Sequence, residues 1–398
     1  MEVSRRAQAI EPFHAMAFGD LASELEAAGH RIVRLNLGEP DFGAPAAVRR
    51  AMEGTMDGRR LAYTSSLGMP ELRERIAGFY RDRHGVDVDP ARIAITMGAS
   101  AALVLTIAAT VDPGTDVLMA DPSYPCNRQI VESFGGRALT VPTSAATRFQ
   151  LTRDLVGQHW TPATGVVMVA TPSNPTGTTI AQPELEAICD LARERGAWRL
   201  VDEIYLDTAD RHPDGSPQRT VLAHDPDAIV LNSFSKAFGM TGWRLGWCVL
   251  PPELVGPVER LAMNYFLSAA APVQIAALEA FTPESLAEAE ERRLDLLARR
   301  RTMLDGLARI GLPVPSEPDG AFYAFADVSG TGLDAWDFCG RALREAHVAL
   351  TPGRDFGATH GDTHVRLSYA ASHEDIAEGL ERLGRWLDSL GATGPVTP

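Results

Sequence analysis

The chain has a single lysine, Lys236, within the segment SFSKAFGMTGWRLGW (233–247). Every other member of its 37 lysines and arginines is an arginine. Because a guanidinium stays protonated at any working pH, arginine supplies charge but cannot act as a nucleophilic amine. Isolated lysines are most often surface charges, but apolar neighbours such as Phe234, Phe238 and Met240 favour a lowered pKa. We therefore predict that Lys236 forms a Schiff base with an aldehyde or ketone.

A second group of residues could hold a phosphate near this lysine. Ala99 and Ser100 stand where an apolar strand gives way to a helix, and a helix N-terminus presents free backbone N–H groups to an anion. Ser233 and Ser235 flank the lysine, and Arg244 can form a forked, charge-assisted contact with phosphate oxygens. Together these five residues predict a phosphate-binding cup beside the amine.

Four further side chains fall at the ends of predicted strands: Tyr124, Asn174, Asp202 and Tyr205. Taken singly, each has an ordinary explanation as a helix cap, a turn residue or a packing aromatic. Together with Lys236 and the phosphate cup, they suit a ligand with an aldehyde, a phosphate, a basic ring nitrogen and a phenolic oxygen. Pyridoxal 5′-phosphate has these groups, and its protonated ring accepts electrons when the substrate α-carbon loses a proton.

Short apolar strands that alternate with helices must position these residues. The predicted strands are 92–98, 116–122, 136–142, 164–172, 198–205, 228–234 and 244–251, and predicted helices include 100–111 and 183–196. Continuous runs of Val, Ile and Leu indicate a mostly parallel seven-stranded sheet covered by helices on both faces. In such sheets ligands bind at the carboxyl ends of the strands. The fold class is therefore α/β.

The pattern changes after about residue 285. One long amphipathic helix (284–311) precedes three strands, 320–328, 348–353 and 364–370, which predict a smaller α+β unit. We predict a large cofactor-binding domain at 46–284 and a small domain formed by 1–45 and 285–398. The tail 391–398 is expected to be loosely ordered.

The chain resembles the class I and II pyridoxal-phosphate-dependent aminotransferases of fold type I, over nearly its whole length. The matching segments are NLGEPDF (36–42), LAYTSSLGMPELRERIA (61–77), TMGAS (96–100), DPSYP (121–125), TPSNPTG (171–177), VDEIY (201–205), SFSKAFGMTGWRLGW (233–247) and VRLSYA (365–370). Their number and order make the resemblance specific.

The resemblance implies a role for each candidate residue at the cofactor. Lys236 would carry the cofactor and shuttle a proton, and Asp202 would pair with the pyridine nitrogen. Tyr205 and Asn174 would hydrogen-bond the phenolic oxygen, and Tyr124 would stack on the ring. The residues implied to hold the phosphate are Ala99, Ser100, Ser233, Ser235 and Arg244.

The resemblance also implies how substrates bind. Arg366 would clamp the substrate α-carboxylate, helped by Asn174 and the Gly38 backbone, and the enzyme would move an α-amino group between an L-amino acid and a 2-oxo acid by a ping-pong mechanism. Tyr63 would reach the phosphate of the other subunit, which implies a homodimer with shared active sites. The segment 13–18 would lie near the substrate side chain. It carries no cation, which favours neutral or aromatic side chains, with glutamate and 2-oxoglutarate as amino-group partners.

Composition and charge argue against several other classes. The net charge of −15 and the lack of a basic stripe argue against a nucleic-acid partner. No apolar run of about 18 residues indicates a membrane span, and four widely spaced cysteines favour reduced thiols in a cytoplasmic protein. No metal is predicted, because the two histidines of HGDTH (360–364) flank a glycine in a loop.

Alternative functions fit the residues less well. Ser233 and Lys236 spell the S-x-x-K of serine acyl enzymes, but a chain with one lysine cannot also supply that class's KTG element. A P-loop needs its lysine after glycine, and Lys236 follows serine. A regulator's effector-binding module usually carries a DNA-binding domain, for which we expect no room. A β-lyase, synthase or oxidase stays open, because these pyridoxal-phosphate enzymes use nearly the same residues.

Overall fold

A computed structural model of the chain describes residues 2–12 and 14–392. The α-helices of this part are α1 Arg5–Ala9, α2 His14–Ala27, α3 Ala46–Glu53, α4 Pro70–His84, α5 Ala99–Thr110, α6 Pro125–Ser133, α7 Arg153–Gln158, α8 Gln182–Glu194, α9 Pro252–Tyr265, α10 Ala271–Ala277, α11 Pro283–Arg309, α12 Ala335–Arg341 and α13 His373–Ala392. None of these described helices combines the length and the apolar character of a transmembrane span. Residues 393–398 of the predicted loose tail lie outside the described residues.

The strands follow the predicted series closely. They are β1 Val33–Arg34, β2 Ile93–Thr96, β3 Asp116–Asp121, β4 Arg137–Pro142, β5 Thr164–Ala170, β6 Trp198–Asp202, β7 Ile229–Ser233, β8 Gly246–Val249, β9 Tyr323–Asp327, β10 Val348–Ala349, β11 Thr351–Pro352 and β12 His364–Ser368. Seven of them form the large sheet, in the order β2-β8-β7-β6-β5-β3-β4. Within this sheet β8 is the one strand that runs in the opposite direction, antiparallel to both β2 and β7. The predicted mostly parallel seven-stranded sheet is therefore confirmed.

Both faces of this sheet are buried, as β5 illustrates. Val167 and Val169 belong to one apolar cluster, whereas Val166 and Met168 belong to another. Successive side chains of a strand point to opposite faces, so a strand covered on both sides needs apolar residues at every position. The helical layers on the two faces hold the strand ends, and the polar residues there, in fixed positions.

The remaining strands form two small sheets. β9, β12 and β11 make an antiparallel sheet, and β1 pairs in parallel with β10. The predicted single strand 348–353 is in fact two strands, because residues on either side of Leu350 pair with different partners, β1 and β12. The two-residue β1, which the sequence pattern did not reveal, joins the N-terminal segment to this C-terminal part. The division at residues 46 and 285 remains a prediction.

Candidate active site

A cavity of about 570 Å³ lies at the carboxyl ends of β5, β6 and β7. This is where ligands bind in open α/β sheets. Twelve of the predicted site residues line it: Gly38, Ala99, Ser100, Tyr124, Asn174, Asp202, Tyr205, Ser233, Ser235, Lys236, Arg244 and Arg366. These residues come from many separate segments of the chain, so their convergence is a property of the fold. Their individual roles remain predictions.

Lys236 lies three residues beyond β7 and points into the cavity. Its Nζ donates a hydrogen bond of 2.7 Å to the Gly38 carbonyl oxygen. Nζ also lies 5.6 Å from the centre of the Tyr205 ring and 5.8 Å from that of Phe322. Burial, aided by the nearby charge of Arg366, lowers the pKa of Lys236 from 10.5 to about 8. A neutral amine is thus accessible near physiological pH, as attack on a carbonyl requires.

Asp202 is the last residue of β6, on the floor of the same cavity. Its Oδ1 accepts the Ile204 backbone N–H at 3.1 Å. Burial raises the pKa of this carboxyl to about 6, and the Ile204 N–H and the charge of Lys236 offset only part of the rise. A cationic neighbour favours the ionised form of a carboxyl group. A protonated ring nitrogen next to Asp202 would therefore stabilise its carboxylate, and the carboxylate would keep the proton on the ring.

Tyr205 and Tyr323 place two phenols side by side in the cavity wall. Their hydroxyl oxygens are 2.8 Å apart, and the Tyr323 hydroxyl oxygen also lies 3.4 Å from the Gly38 carbonyl oxygen. Burial raises the pKa of both phenols, so both stay protonated donors. Tyr323 was not among the predicted site residues. The one signal in the sequence was an aromatic with a polar tip inside the apolar strand GAFYAFADV.

The predicted phosphate-binding cup is narrow because its backbone lies close to Arg244. Gly98 has φ +78, and a Cβ there would lie 2.5 Å from Arg244 Nη2. The next residue begins α5, which has no side-chain cap at its N-terminus. Its first N–H groups are therefore oriented for an acceptor that is not part of the helix. Ser233 Oγ donates to Ser235 Oγ at 2.9 Å, which places both hydroxyls at this corner.

Arg366 is a buried guanidinium whose hydrogen-bond partners are all neutral. Its side chain is on β12, and the residue is 3% exposed. It donates to Asn174 Oδ1 at 2.9 Å, to the Asn36 carbonyl at 2.8 Å and to Thr351 Oγ1 at 3.3 Å. Its Nε has no hydrogen-bond partner among the described residues. Since a buried charge is costly without an opposite charge, this geometry suits an anionic ligand such as a carboxylate.

Two predicted aromatic contacts differ in their surroundings. Tyr124 precedes α6 and lines the cavity, where burial raises the pKa of its phenol. Tyr63 does not line the cavity and is 82% exposed. The segment around it is fixed by two hydrogen bonds, from Gln274 Nε2 to Thr64 Oγ1 at 3.0 Å and from the Ile95 N–H to the Leu67 carbonyl at 2.9 Å.

The residues present fit pyridoxal phosphate. An amine, a carboxylate and two phenols face one cavity, and the close approach of Gly98 to Arg244 gives a cradle that a Cβ would fill. Lys236 would hold the aldehyde carbon, Asp202 the ring nitrogen and Tyr205 the phenolic oxygen. The α5 N-terminus, with Arg244 and the serine hydroxyls, would hold the phosphate.

The N-terminal helix α2 contributes Ala15, Met16 and the acidic Asp20 to the lining of the cavity, and the apolar Leu37 and Ile130 line it as well. Arg34 also lines the cavity, but its guanidinium is paired with Glu26 at 2.8 Å. Phe13, the first residue of the predicted substrate-side segment, lies outside the described residues. Asp355 holds this part of the wall in place, because its two carboxylate oxygens accept the backbone N–H groups of residues 14 and 15 at the start of α2, at 2.8 and 2.7 Å.

The HGDTH histidines lie away from this cavity. His360 Nε2 is 2.8 Å from the Thr143 carbonyl, and His364 Nδ1 is 2.9 Å from Thr363 Oγ1. Within the described ranges, no group of three or more His, Cys, Asp or Glu side chains could hold a metal ion.

Comparison with known proteins gives consistent matches along the chain. The profile of the family "Aminotransferase class I and II" matches residues 30–383. The valine–pyruvate aminotransferase of Mycobacterium tuberculosis is 40% identical over 96% of this chain and 97% of that protein. The aspartate/prephenate aminotransferase of Thermus thermophilus is 35% identical over 97% of this chain and 98% of that protein.

Solved structures of aminotransferases have the same fold as this chain. An aminotransferase from Mycobacterium tuberculosis superposes with a TM-score of 0.93 at 39% identity, over 98% of this chain and 100% of that one. The aspartate aminotransferase of Thermus thermophilus with maleate gives a TM-score of 0.91 at 34% identity, over 97% and 99% of the two chains. The backbone arrangement described above is thus shared with proteins of about one-third identical sequence.

Proposed function

The chain belongs to the class I and II aminotransferase family and is a pyridoxal-phosphate-dependent aminotransferase, and from this premise we propose that it works by two ping-pong half-reactions. An L-amino acid would give up its α-amino group in the first, and a 2-oxo acid would take it up in the second. The observation that carries the proposal is that the only lysine of the chain points into the cavity that also holds Asp202 and Arg366.

Each side chain has a task that its surroundings support. Bound pyridoxal phosphate would supply an aldehyde for the substrate amine and a ring that accepts electrons from the α-carbon. Asp202 would keep a proton on the ring nitrogen, and Tyr205 would donate to the phenolic oxygen. Lys236, released from the aldehyde carbon, would take the proton from the substrate α-carbon, and its pKa of about 8 suits a base at neutral pH.

Arg366 would orient the substrate for this proton transfer. Asn174 Oδ1 and the Asn36 carbonyl fix the plane of its guanidinium. In this orientation two N–H groups of the guanidinium can donate to the two oxygens of an α-carboxylate. Arg34 is already paired with Glu26, and apart from it and the three cations with assigned roles, the described residues that line the cavity include no lysine or arginine for a second carboxylate. We therefore infer neutral or aromatic side chains as preferred substrates, with glutamate and 2-oxoglutarate as amino-group partners.

The test is a half-reaction screen with the purified protein. The pyridoxamine form is mixed with a panel of 2-oxo acids, and the absorbance of the aldehyde form is followed. Its return with at least one acid, and faster with acids of neutral or aromatic side chain, is the expected result. Release of pyruvate and ammonia from an amino acid, without any return of absorbance, would indicate a lyase instead. Rapid return only with dicarboxylic acids would refute the side-chain preference.

We also propose a homodimer with shared active sites. Tyr63 is 82% exposed, and Met97, next to the phosphate-binding cup, is 37% exposed; a partner subunit would cover both. The test mixes Tyr63→Ala with the inactive Lys236→Ala under conditions of subunit exchange, at a cofactor concentration at which Tyr63→Ala alone shows little activity because its hold on the phosphate is weakened. A mixed dimer has one site with both residues intact, so random pairing should restore about a quarter of the wild-type activity. No recovery despite proven exchange would contradict the shared site.

We place the protein in the cytoplasm. Its four cysteines are free, three of them buried and Cys126 half-buried, as expected where thiols stay reduced. Fractionation of the source cells would test this location, and recovery of the protein outside the cytoplasmic fraction would contradict it.

A further inference from the structure

Tyr323 lies beside two groups that the proposed function uses: it contacts Arg366 and shares the Gly38 carbonyl with Lys236. It begins β9 and is completely buried. Its ring lies against the guanidinium of Arg366, whose Cζ is 4.5 Å from the ring centre. A Cβ added at Gly38 would lie 3.1 Å from its hydroxyl oxygen. One side chain therefore contacts the candidate carboxylate clamp with its ring and the Gly38 backbone with its hydroxyl.

The hydroxyl of Tyr323 has two acceptors and one proton. The Tyr205 hydroxyl oxygen is 2.8 Å away and the Gly38 carbonyl oxygen 3.4 Å away. A phenol can donate to only one of them at a time. If Tyr323 donates to Gly38, it accepts the proton of Tyr205. If it donates to Tyr205, the proton of Tyr205 is free for an acceptor in the cavity.

The position of Lys236 decides between these two arrangements. Its Nζ donates to the same Gly38 carbonyl at 2.7 Å, a shorter contact than that of Tyr323. While the lysine occupies the carbonyl, Tyr323 has the better acceptor in Tyr205. When the lysine leaves, the half-buried Gly38 carbonyl loses this donor, and the Tyr323 hydroxyl at 3.4 Å is in place to supply another. Donation from Tyr323 to Gly38 then becomes favourable.

We propose that Tyr323 is a positioning residue that couples the place of the Lys236 amine to the direction in which the Tyr205 hydroxyl donates, while its ring keeps Arg366 in plane. The inference rests on the proposed function, in which Tyr205 donates to the phenolic oxygen of the cofactor. Hydrogen bonds in a chain polarise one another, so Tyr205 is the strongest donor to the cofactor when Tyr323 donates to it. The lysine would thus switch this donor on and off as it moves.

Two isosteric variants separate this role from simple packing. Tyr323→Phe removes the hydroxyl and keeps the ring against Arg366. Tyr369→Phe is the matched control, because Tyr369 is 1% exposed, donates to the Gly320 carbonyl at 3.3 Å and does not line the cavity. Both variants lose one buried phenol hydroxyl that bonds a backbone carbonyl, so a general loss of stability affects both.

The first measurement uses the cofactor-free protein. The pH dependence of acylation at Lys236 gives its pKa, and peptide mass separates this label from the N-terminal amine. A neutral amine donates to the Gly38 carbonyl more weakly than an ammonium group, and in the wild type Tyr323 can then donate instead. Tyr323→Phe has no such replacement donor, so the charged form of Lys236 is favoured. Its pKa should therefore rise by about 0.4–1 unit, the size of one neutral hydrogen bond. The charged groups facing Lys236, namely Arg366, Glu39, Asp202 and Arg244, are unchanged in every variant. Tyr369→Phe should match the wild type.

The second measurement uses the loaded enzyme. Its visible absorbance is titrated with pH. When Lys236 carries the cofactor and is away from Gly38, the wild-type Tyr323 accepts the Tyr205 proton, so Tyr323→Phe should free Tyr205 to donate to the phenolic oxygen and move the midpoint downward by a similar amount. The KM for the amino acid should stay within about twofold, because the ring still supports Arg366, while kcat falls about three- to tenfold.

The outcomes distinguish the coupling from the proposed function. An unmoved lysine pKa in Tyr323→Phe, or an equal shift in Tyr369→Phe, overturns the coupling whether or not cofactor binds. Failure of the wild-type protein to take up the cofactor overturns the proposed function, and the cofactor-free measurement still decides on the coupling.

Discussion

Replacing Arg366 by lysine tests the substrate clamp most directly. Lysine keeps the positive charge but not the planar fork that can meet both oxygens of a carboxylate. Its single nitrogen also cannot occupy the positions of both Nη1, which donates to Asn174, and Nη2, which donates to Asn36 and Thr351. Tight burial, with 3% of the residue exposed, leaves little room for a second arrangement. Arg366→Lys should therefore bind and orient the α-carboxylate less well while the cofactor stays in place.

The size of the effect follows from the hydrogen bonds that a lysine cannot form at this position. One charge-assisted hydrogen bond contributes about 1.5–3 kcal/mol. Removing one of two such bonds to the carboxylate lowers kcat/KM about 10- to 150-fold. The neutral acceptors left without a donor should also cost about 1–3 kcal/mol of the free energy of unfolding. An arginine whose only role was an exposed ion pair would change kcat/KM by about fivefold at most.

The assay compares an amino acid with the amine that lacks its α-carboxylate. Arg366→Lys should lose activity toward the amino acid only, with unchanged cofactor absorbance. Arg199→Lys is the matched control, because Arg199 is a buried arginine paired bidentately with Asp225, at 2.7 and 2.9 Å, and does not line the cavity. Equal losses toward both substrates would refute the reasoning, as would a similar preference change in Arg199→Lys.

Other substitutions in the cavity have equally definite expected outcomes. Lys236→Arg retains the charge but not a nucleophilic amine, so single-turnover assays with amino acid should show no product; measurable turnover would contradict the role of Lys236. Asp202→Asn keeps the shape without the negative charge, and kcat should fall by about 100-fold, the scale of one strong charge-assisted interaction; a change within experimental error would argue against a contact with a cationic ring nitrogen. In cofactor-free protein the folded state binds the Lys236 proton less tightly than the unfolded chain, because the pKa falls from 10.5 to about 8. The buried charge therefore costs stability below pH 8, up to about 3 kcal/mol, and this cost disappears as the pH rises towards 10.5. Urea denaturation should show Lys236→Met more stable than the wild type at pH 7, with a smaller difference at pH 9.5. A difference that does not change with pH would contradict the lowered pKa of Lys236.

The large sheet was predictable because its strands are covered on both faces. Such strands are apolar at nearly every position, and β5 shows this pattern from Val166 to Ala170. The small sheets were harder to predict. β1 has only two residues, which is too short for any periodicity, and its existence depends on a partner more than 300 residues away, Val348. The break at Leu350 likewise reflects pairing with two different strands, which no local pattern encodes.

The candidate site divides in the same way. Lys236 was recognisable because it is the only lysine of the chain, among apolar neighbours, and Asp202 because it falls at a strand end together with the other candidate residues. Tyr323 was hidden because a tyrosine inside a strand usually packs in the core, and only the three-dimensional structure places its hydroxyl beside Tyr205. Tyr63 is exposed in a single chain. Its predicted contact is with the phosphate of another subunit, and the sequence of one chain does not show how two subunits pack.

The solitary lysine has a practical consequence. A lysine-specific protease has one cleavage site in the whole chain, after Lys236. If borohydride first fixes the cofactor onto that nitrogen, the protease should no longer recognise the residue, and the denatured polypeptide should stay in one piece. The ratio of intact to cut chain on a gel would then count, molecule by molecule, how much of a preparation carries its cofactor.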